Sequence, residues 1–273
     1  MDECGLKHQR QDVGEYFADL YPSVRTHRTR NKSTGTMHFP PRYPWSNFPP
    51  VSIHSPESAV KKHPLYNASK SGDPEAAFRL VSELVSPSVT KSLIDRYATE
   101  LPILVSAHAL ESSGVNAIPA ALAELLEEKT GFESDTDVVQ TNVVSHTGAS
   151  GIHRIAHQAM FTGTIIRNRN YLLVDDFVGQ GGTLANLRGY ILDKGGRVVA
   201  ATVLTGKPYS ATICLESQTL QRLRDKHGKN LESWWPDKFG HSLDCLTESE
   251  ARYLEKIESF ESIRYRIAQA EQS

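Results

Sequence analysis

The chain has 273 residues, 39% of them hydrophobic, and a formal net charge of -2. That is ample for one core and argues against a protein built chiefly to coat nucleic acid. No run of about 18 apolar residues exists to span a membrane, the first residues are too polar for a secretory signal, and Cys4, Cys214 and Cys245 are far apart without zinc-type spacing, which suggests reduced thiols in a cytoplasm.

The pattern divides the chain into three parts: an arm over residues 1–60, a core with leading helices over 61–206, and a helical C-terminal region over 207–273. The arm holds a basic run at 25–32, RTHRTRNK, which reads as a solvated linker before it reads as a nucleic-acid or partner contact. From Pro40 to Pro50 five prolines fall in eleven residues, so neither a helix nor a central strand forms there. This stretch is expected to be extended and to dock through Tyr43, Trp45 and Phe48. Asp73 followed by Pro74 predicts a helix start, with Ala77, Leu80, Val81 and Leu84 on one face. A second helix is expected from Val89 to Thr99. Leu101 to His108 reads as the first buried strand, followed by a loop and the helix of residues 118–131. Residues 138–144 read as a second strand, Tyr171–Val174 as a third and 197–204 as a fourth. Strands alternating with amphipathic helices predict an α/β fold, a mostly parallel sheet with helices on both faces. Ligands in such sheets bind at the carboxyl ends of the strands.

The segment YLLVDDFVGQGGTLANL, residues 171–187, stands at such an end. Its strand leads into Asp175 and Asp176, then a turn with Gly179, Gly181 and Gly182, then Thr183 and a helical pattern through Leu184, Leu187 and Ile191. A helix N-terminus offers unpartnered amides and a partial positive charge, and glycines let those amides close on a phosphate. The Thr183 hydroxyl is expected to cap the helix and donate to a phosphate oxygen. The two carboxylates repel phosphate and suit vicinal hydroxyls instead, directly or through hydrated Mg²⁺. Phosphate on the turn and a diol on the acids describe a ribose 5-phosphate.

With its apolar lead-in, VDDFVGQGGT resembles the motif by which type I phosphoribosyltransferases bind 5-phosphoribosyl diphosphate (PRPP). It departs from that pattern at Gln180, where many members carry Thr or Ser. The resemblance covers roughly residues 98–206 and implies the fold of those enzymes, with both terminal extensions forming a hood over the sheet. It further implies Mg²⁺-dependent transfer of 5-phosphoribosyl to a nitrogen acceptor, a nucleobase in the first instance, by a homodimer. Asp175 and Asp176 would hold the ribose and, through water, the metal. Gly179, Gln180, Gly181, Gly182 and Thr183 would hold the 5-phosphate. By position, the turn with His108, Ser112, Ser113 and Gly114 corresponds to the pyrophosphate loop, although it lacks the Arg or Lys that many members have there. The loop of residues 145–162 corresponds to the mobile loop that closes over PRPP. In it Gly148 and Gly151 supply freedom, His153, Arg154 and His157 supply charge, and Arg154 is the candidate to neutralise pyrophosphate.

In the C-terminal region residues 215–228 read as a helix, and Thr247 with Glu250 forms a capping box for another. Trp234 and Trp235 between them are candidates to stack on an acceptor base, against the commoner alternative of core packing. A reading from another class is a binding module that holds PRPP or a nucleotide without turnover.

Overall fold

The computed structural model describes residues 39–107, 110–111, 114–142 and 150–272. In chain order the strands are β1 (Ser52–Pro56), β2 (Ile103–Ser106), β3 (Leu110–Glu111), β4 (Gly114–Val115), β5 (Ser134–Asp135), β6 (Val139–Gln140), β7 (Phe161–Thr162), β8 (Asn170–Val178) and β9 (Arg197–Gly206). The helices are α1 (Glu57–Lys61), α2 (Tyr66–Lys70), α3 (Pro74–Leu84), α4 (Pro87–Tyr97), α5 (Ile118–Thr130), α6 (Gly151–Ala156), α7 (Gly182–Asp193), α8 (Ser217–Phe239), α9 (Glu248–Glu255) and α10 (Phe260–Ala270).

The central sheet has five strands in the order β1-β9-β8-β2-β5, and every pairing is parallel. Period-2 alternation sends successive side chains to opposite faces. On β8, Tyr171 and Leu173 face one cluster with Leu184, Leu187 and Ile191 of α7. Leu172 and Val174 face the other, with Leu80 of α3 and Leu122 and Leu126 of α5. The two crossovers run in opposite directions from the sheet's middle, β2 to β5 through α5 and β8 to β9 through α7. Right-handed connections therefore place α5 and α7 on opposite faces. Between β2 and β8 the winding reverses, and a crevice opens there beyond the strands' carboxyl ends.

Local signals account for the helices. Asp73 accepts from the Ala76 amide at 2.9 Å and Pro74 opens α3, as expected. Ser86 and Pro87 do the same for α4, which starts slightly earlier than Val89. Gly131, at φ 73°, ends α5. The helix expected over 215–228 runs on: α8 kinks at Gly228 and continues through Trp234 and Trp235 to Phe239. Its apolar residues join α6, α9 and α10 in a third cluster around Leu223, Leu231, Trp235 and Phe239. No helix among the described residues is long and apolar enough to cross a membrane.

Two strand expectations need correction. The run 138–144 is not the sheet strand beside β2. That place is taken by Ser134–Asp135, paired with Leu104 and Val105. Val139–Gln140 instead pairs antiparallel with Phe161–Thr162 in a separate ribbon, and residues 143 and 144 lie outside the described residues. A two-residue polar strand has no periodicity to betray it. In addition, β1 was not foreseen. Its backbone joins the edge of the sheet at β9, where Thr202 and Thr205 hydroxyls donate to the Ser52 and Ser55 carbonyls at 3.0 and 2.7 Å.

The proline-rich stretch docks through Trp45 and Phe48 as expected, whereas the Tyr43 side chain stays 39% exposed. Trp45 donates to the Leu246 carbonyl at 2.8 Å, and Arg188 lies 4.5 Å from its ring centroid while donating to the Tyr43 and Pro44 carbonyls. The approach of this stretch to α7 is so close that a Cβ on Gly189 would lie 1.8 Å from the Pro41 carbonyl oxygen. Gly to Ala within a helix ordinarily stabilises by up to about 1 kcal/mol. Gly189→Ala is expected to destabilise instead, by about 1–3 kcal/mol, because backbone must move. A urea midpoint at or above wild type would contradict this docking.

His54 and His241 are buried, each with Nε2 lacking a partner among the described residues. Burial lowers both pKa values from 6.5 to about 4. A folded-state value below the unfolded one means the stability is fully present above pH 6.5 and is lost as pH falls toward 4. The expected loss is on the order of 3 kcal/mol per histidine. Urea midpoints between pH 7.5 and 4 should fall accordingly, and less steeply in His54→Gln/His241→Gln. A raised carboxyl pKa at Asp175, described below, works in the opposite sense and offsets part of the drop.

A candidate sugar-phosphate cleft

The acid pair lies in a half-open stretch of strand. On one side β8 stays paired with β9 to its last residue, Val178 against Gly206. On the other, β2 ends at Ser106 opposite Val174. The strand therefore does not stop before Asp175, as its pattern suggested; it continues for four residues that have no partner strand on the β2 side among the described residues, since β9 is longer than β2. Asp175 and Asp176 line the cleft at that edge.

Asp175 is buried and accepts from the Asp176 amide at 2.8 Å. Burial, and then the charge of Asp176, push its carboxyl well above the usual carboxylate range. Asp176 is ion-paired with Lys70 of α2 at 3.1 Å, and both side chains are about 15% exposed. The pair is thus asymmetric: one carboxylate has a cationic partner and the other is held in a dry place beside like charge.

The glycine turn lines the same cleft as the acids. Gly181, at φ 80°, is the cap residue of α7, a conformation open to glycine at no steric cost. Thr183 consequently sits inside the first helical turn and makes no capping bond, contrary to expectation. It still lines the cleft with Gly179, Gln180, Gly181 and Gly182, where the first amides of α7 lie. The Gln180 carboxamide has both polar atoms buried without a hydrogen-bond partner among the described residues. Buried amides are rarely left this way, so the group is suited to a ligand or ordered water.

The turn is held by residues of the C-terminal region. Thr247 donates to the Gln180 carbonyl at 2.6 Å and accepts from the Glu250 amide at 3.0 Å. The Glu250 carboxylate accepts from the Thr247 amide at 2.9 Å, completing the expected capping box of α9. The same carboxylate takes a two-pronged contact from Arg42, at 2.7 and 3.0 Å, and the Arg42 Nε donates to Asn186 of α7 at 2.6 Å. Arg42 and Glu250 side chains are each 2% exposed. Arm, α7 and α9 thus meet at the turn, and Asn186 and Glu250 line the cleft as well.

Basic residues line the same cleft. Arg154 on α6 lies against Gly179, so near that a Cβ there would be 3.1 Å from its Nη1. Burial lowers its pKa, but a guanidinium remains charged. His157 also lines the cleft, and its ring stacks on His153 at 4.1 Å. Lys61 of α1 and Lys70 of α2 complete the set. Neither was anticipated: they lie on five-residue helices without a readable period. Arg42 was missed too, because its ion pair spans 208 positions of sequence.

Other candidates fall elsewhere. His108, Ser112 and Ser113 lie outside the described residues, as do Gly148 and the basic run at 25–32; Gly114 begins β4, paired with β3. Trp235 is 0% exposed in the third core cluster, tilted against Phe239 at 4.4 Å, and Trp234 packs on Phe239 and Phe260. Neither ring lines the cleft, in contrast to the acceptor-stacking role, because α8 turns both into helix packing. Among the described residues no group of three or more His, Cys, Asp or Glu side chains is arranged to hold a metal.

No family model matches the chain. Protein TraN of Escherichia coli is 38% identical over 229 residues, 84% of this chain and 51% of that protein. An uncharacterized protein of Haemophilus influenzae is 36% identical over 152 residues, 55% of this chain and 34% of that protein. The chain therefore spans about half or less of these curated relatives. Among solved structures, an adenine phosphoribosyltransferase overlays at 14% identity with a TM-score of 0.29, covering 50% of this chain and 76% of that one. The adenine phosphoribosyltransferase of Leishmania donovani overlays at 13% identity and a TM-score of 0.32, covering 66% and 65%. That of Leishmania tarentolae gives 17% and 0.31, covering 63% and 84%. Overlaps this loose bear on neither ligand nor activity.

Proposed function

We propose that the cleft binds PRPP and that the chain transfers its 5-phosphoribosyl group to a nitrogen acceptor, releasing pyrophosphate. The observation that carries this reading is the presence of two unlike elements in one cleft. One is a carboxylate pair whose Asp175 is buried beside like charge, and the other is a glycine turn with a helix N-terminus and a Gln180 amide without a hydrogen-bond partner among the described residues. An anion suits the second element and hydroxyl donors suit the first. A 5-phosphorylated ribose has both, at its two ends.

In this reading the 5-phosphate lies on the amides of Gly179 to Thr183, with the Gln180 amide as a further donor. The ribose hydroxyls donate to Asp175 and Asp176. Lys61, Lys70 and Arg154 face the pyrophosphate and draw off the charge that develops as the C1–oxygen bond loosens. The acid pair stabilises positive charge on the ribose ring in the same step. Asp175 fits a hard cation as well as a hydroxyl, since burial and the neighbouring Asp176 charge outweigh the relief it takes from the Asp176 amide and Lys70. Bound Mg²⁺ would be held by Asp175 and Asp176 together with substrate phosphates and water, and it would make pyrophosphate a better leaving group.

The leading-helix lysines favour turnover over mere binding, because they supply the cations that the turn after β2 lacks. The assay is pyrophosphate release from PRPP and Mg²⁺ with a panel of purine, pyrimidine and amine acceptors. Release with one acceptor class is expected. Bound PRPP with no release for any acceptor would leave a binding module.

A further inference from the structure

A second depression adjoins the cleft and shares Lys61, Arg154, Phe177, Gly179 and Gln180 with it. Its lining adds Lys207, from the turn after β9, Arg252 of α9 and Lys256, the residue that caps α9 four positions on. These three side chains are exposed and have no carboxylate within ion-pair distance among the described residues. Glu57 is the acidic residue lining the groove, and it is already bonded to Lys61 at 2.5 Å. Five cations thus face one occupied carboxylate, in a chain whose net charge is -2. Tyr209, 59% exposed, stands at the edge with the Lys207 Nζ 5.9 Å from its ring centroid. The Phe177 ring lies at the border of the two spaces, with the Lys61 Nζ 5.3 Å from its centroid.

We infer that this groove is the acceptor side of the site, and that the acceptor is a nucleotide unit carrying its own phosphate rather than a free base. The inference rests on the transferase reading of the adjoining cleft. In that reading PRPP engages Lys61, Lys70 and Arg154, which leaves Lys207, Arg252 and Lys256 without work. An uncharged base has no use for three further cations, whereas a phosphate does. An exposed aromatic ring beside cations is the pairing that holds a base and its phosphate together. The unit can be a mononucleotide or part of a single strand, and the two differ in how many phosphates they bring.

The test uses the whole chain, with AMP and a fluorescein-labelled twelve-nucleotide oligothymidylate as probes. Binding is measured at 50 and 200 mM salt for wild type, for Lys207→Glu/Arg252→Glu/Lys256→Glu and for the corresponding triple Gln variant. PRPP binding is measured in parallel. At least one probe is expected to bind wild type. The triple Glu variant should weaken it tenfold or more, the Gln variant less, and PRPP affinity should stay within about twofold. A strand should show a log–log salt slope near -2, about 0.7 for each of three phosphates. AMP binding as tightly as the oligonucleotide assigns a mononucleotide. Failure of both probes, or binding unchanged by charge reversal, overturns the inference. Nucleotide binding with no PRPP binding in wild type removes the transferase reading and leaves the groove as a nucleotide site alone.

Discussion

Replacing Asp175 and Asp176 together by Asn is expected to lower PRPP turnover by at least about a thousandfold while leaving the fold intact. Removal of one preorganised electrostatic group commonly costs a hundred- to a thousandfold, and here both carboxylates assigned to the ribose are lost. The fold should survive because Asn retains an oxygen to accept the Asp176-position amide that now binds Asp175 Oδ1. Stability should even gain at that position, since burial and Asp176 already push the Asp175 carboxyl up. A charge held in place against its own solvation is a usual mark of a site kept for function. The single variants should differ. Asp176→Asn removes the Lys70 partner at 3.1 Å, whereas Asp175→Asn relieves a repulsion. Thermal melts should therefore rank Asp175→Asn above Asp176→Asn. Full pyrophosphate release by the double variant would remove the acid pair from the chemistry.

Arg42→Met is expected to be the most destabilising single change in the arm. It leaves Glu250 buried at 2% exposure without its cation. Breaking a buried ion pair from one side costs about 3–5 kcal/mol, far more than the pair contributes against an apolar replacement. For a chain of this size that lowers the melting temperature by roughly 10 °C. Arg42→Met with Glu250→Gln should recover part of the loss, which a double-mutant cycle measures. Because the Glu250 carboxylate lies against Gly182 and fixes Thr247, which holds the Gln180 carbonyl, PRPP affinity should weaken in Arg42→Met even below its melting point. A melting temperature within about 2 °C of wild type would mean that the contact at the turn is not structural.

The parts of the fold that could be read from sequence were those with local causes. Asp73 and Pro74 announced α3, Thr247 and Glu250 announced α9, and four apolar residues announced the middle of β8. The turn at 179–183 was legible because glycines after a buried strand narrow the geometry to a few forms. Long-range causes left no such trace. Ser134–Asp135 is a strand only because β2 is beside it, and Ser52–Pro56 only because β9 runs past it. Arg42 reads as one basic residue among prolines until its pairing with Glu250 is seen. Lys61 and Lys70 reach the cleft through helices of one turn each, too short for periodicity to mark. At Trp234 and Trp235 the sequence left base stacking open beside the commoner reading of core packing, and the helix phase of α8 directs the pair into packing.

The central claim is that one cleft receives a ribose phosphate between Asp175 and Asp176 and the turn at Gly179–Thr183. The most direct measurement is a calorimetric titration of wild type with PRPP in the presence of Mg²⁺, repeated with the double Asn variant. Saturable binding to wild type, lost in the variant, is the predicted result. Heat indistinguishable from dilution in wild type, or equal binding by both proteins, would contradict it.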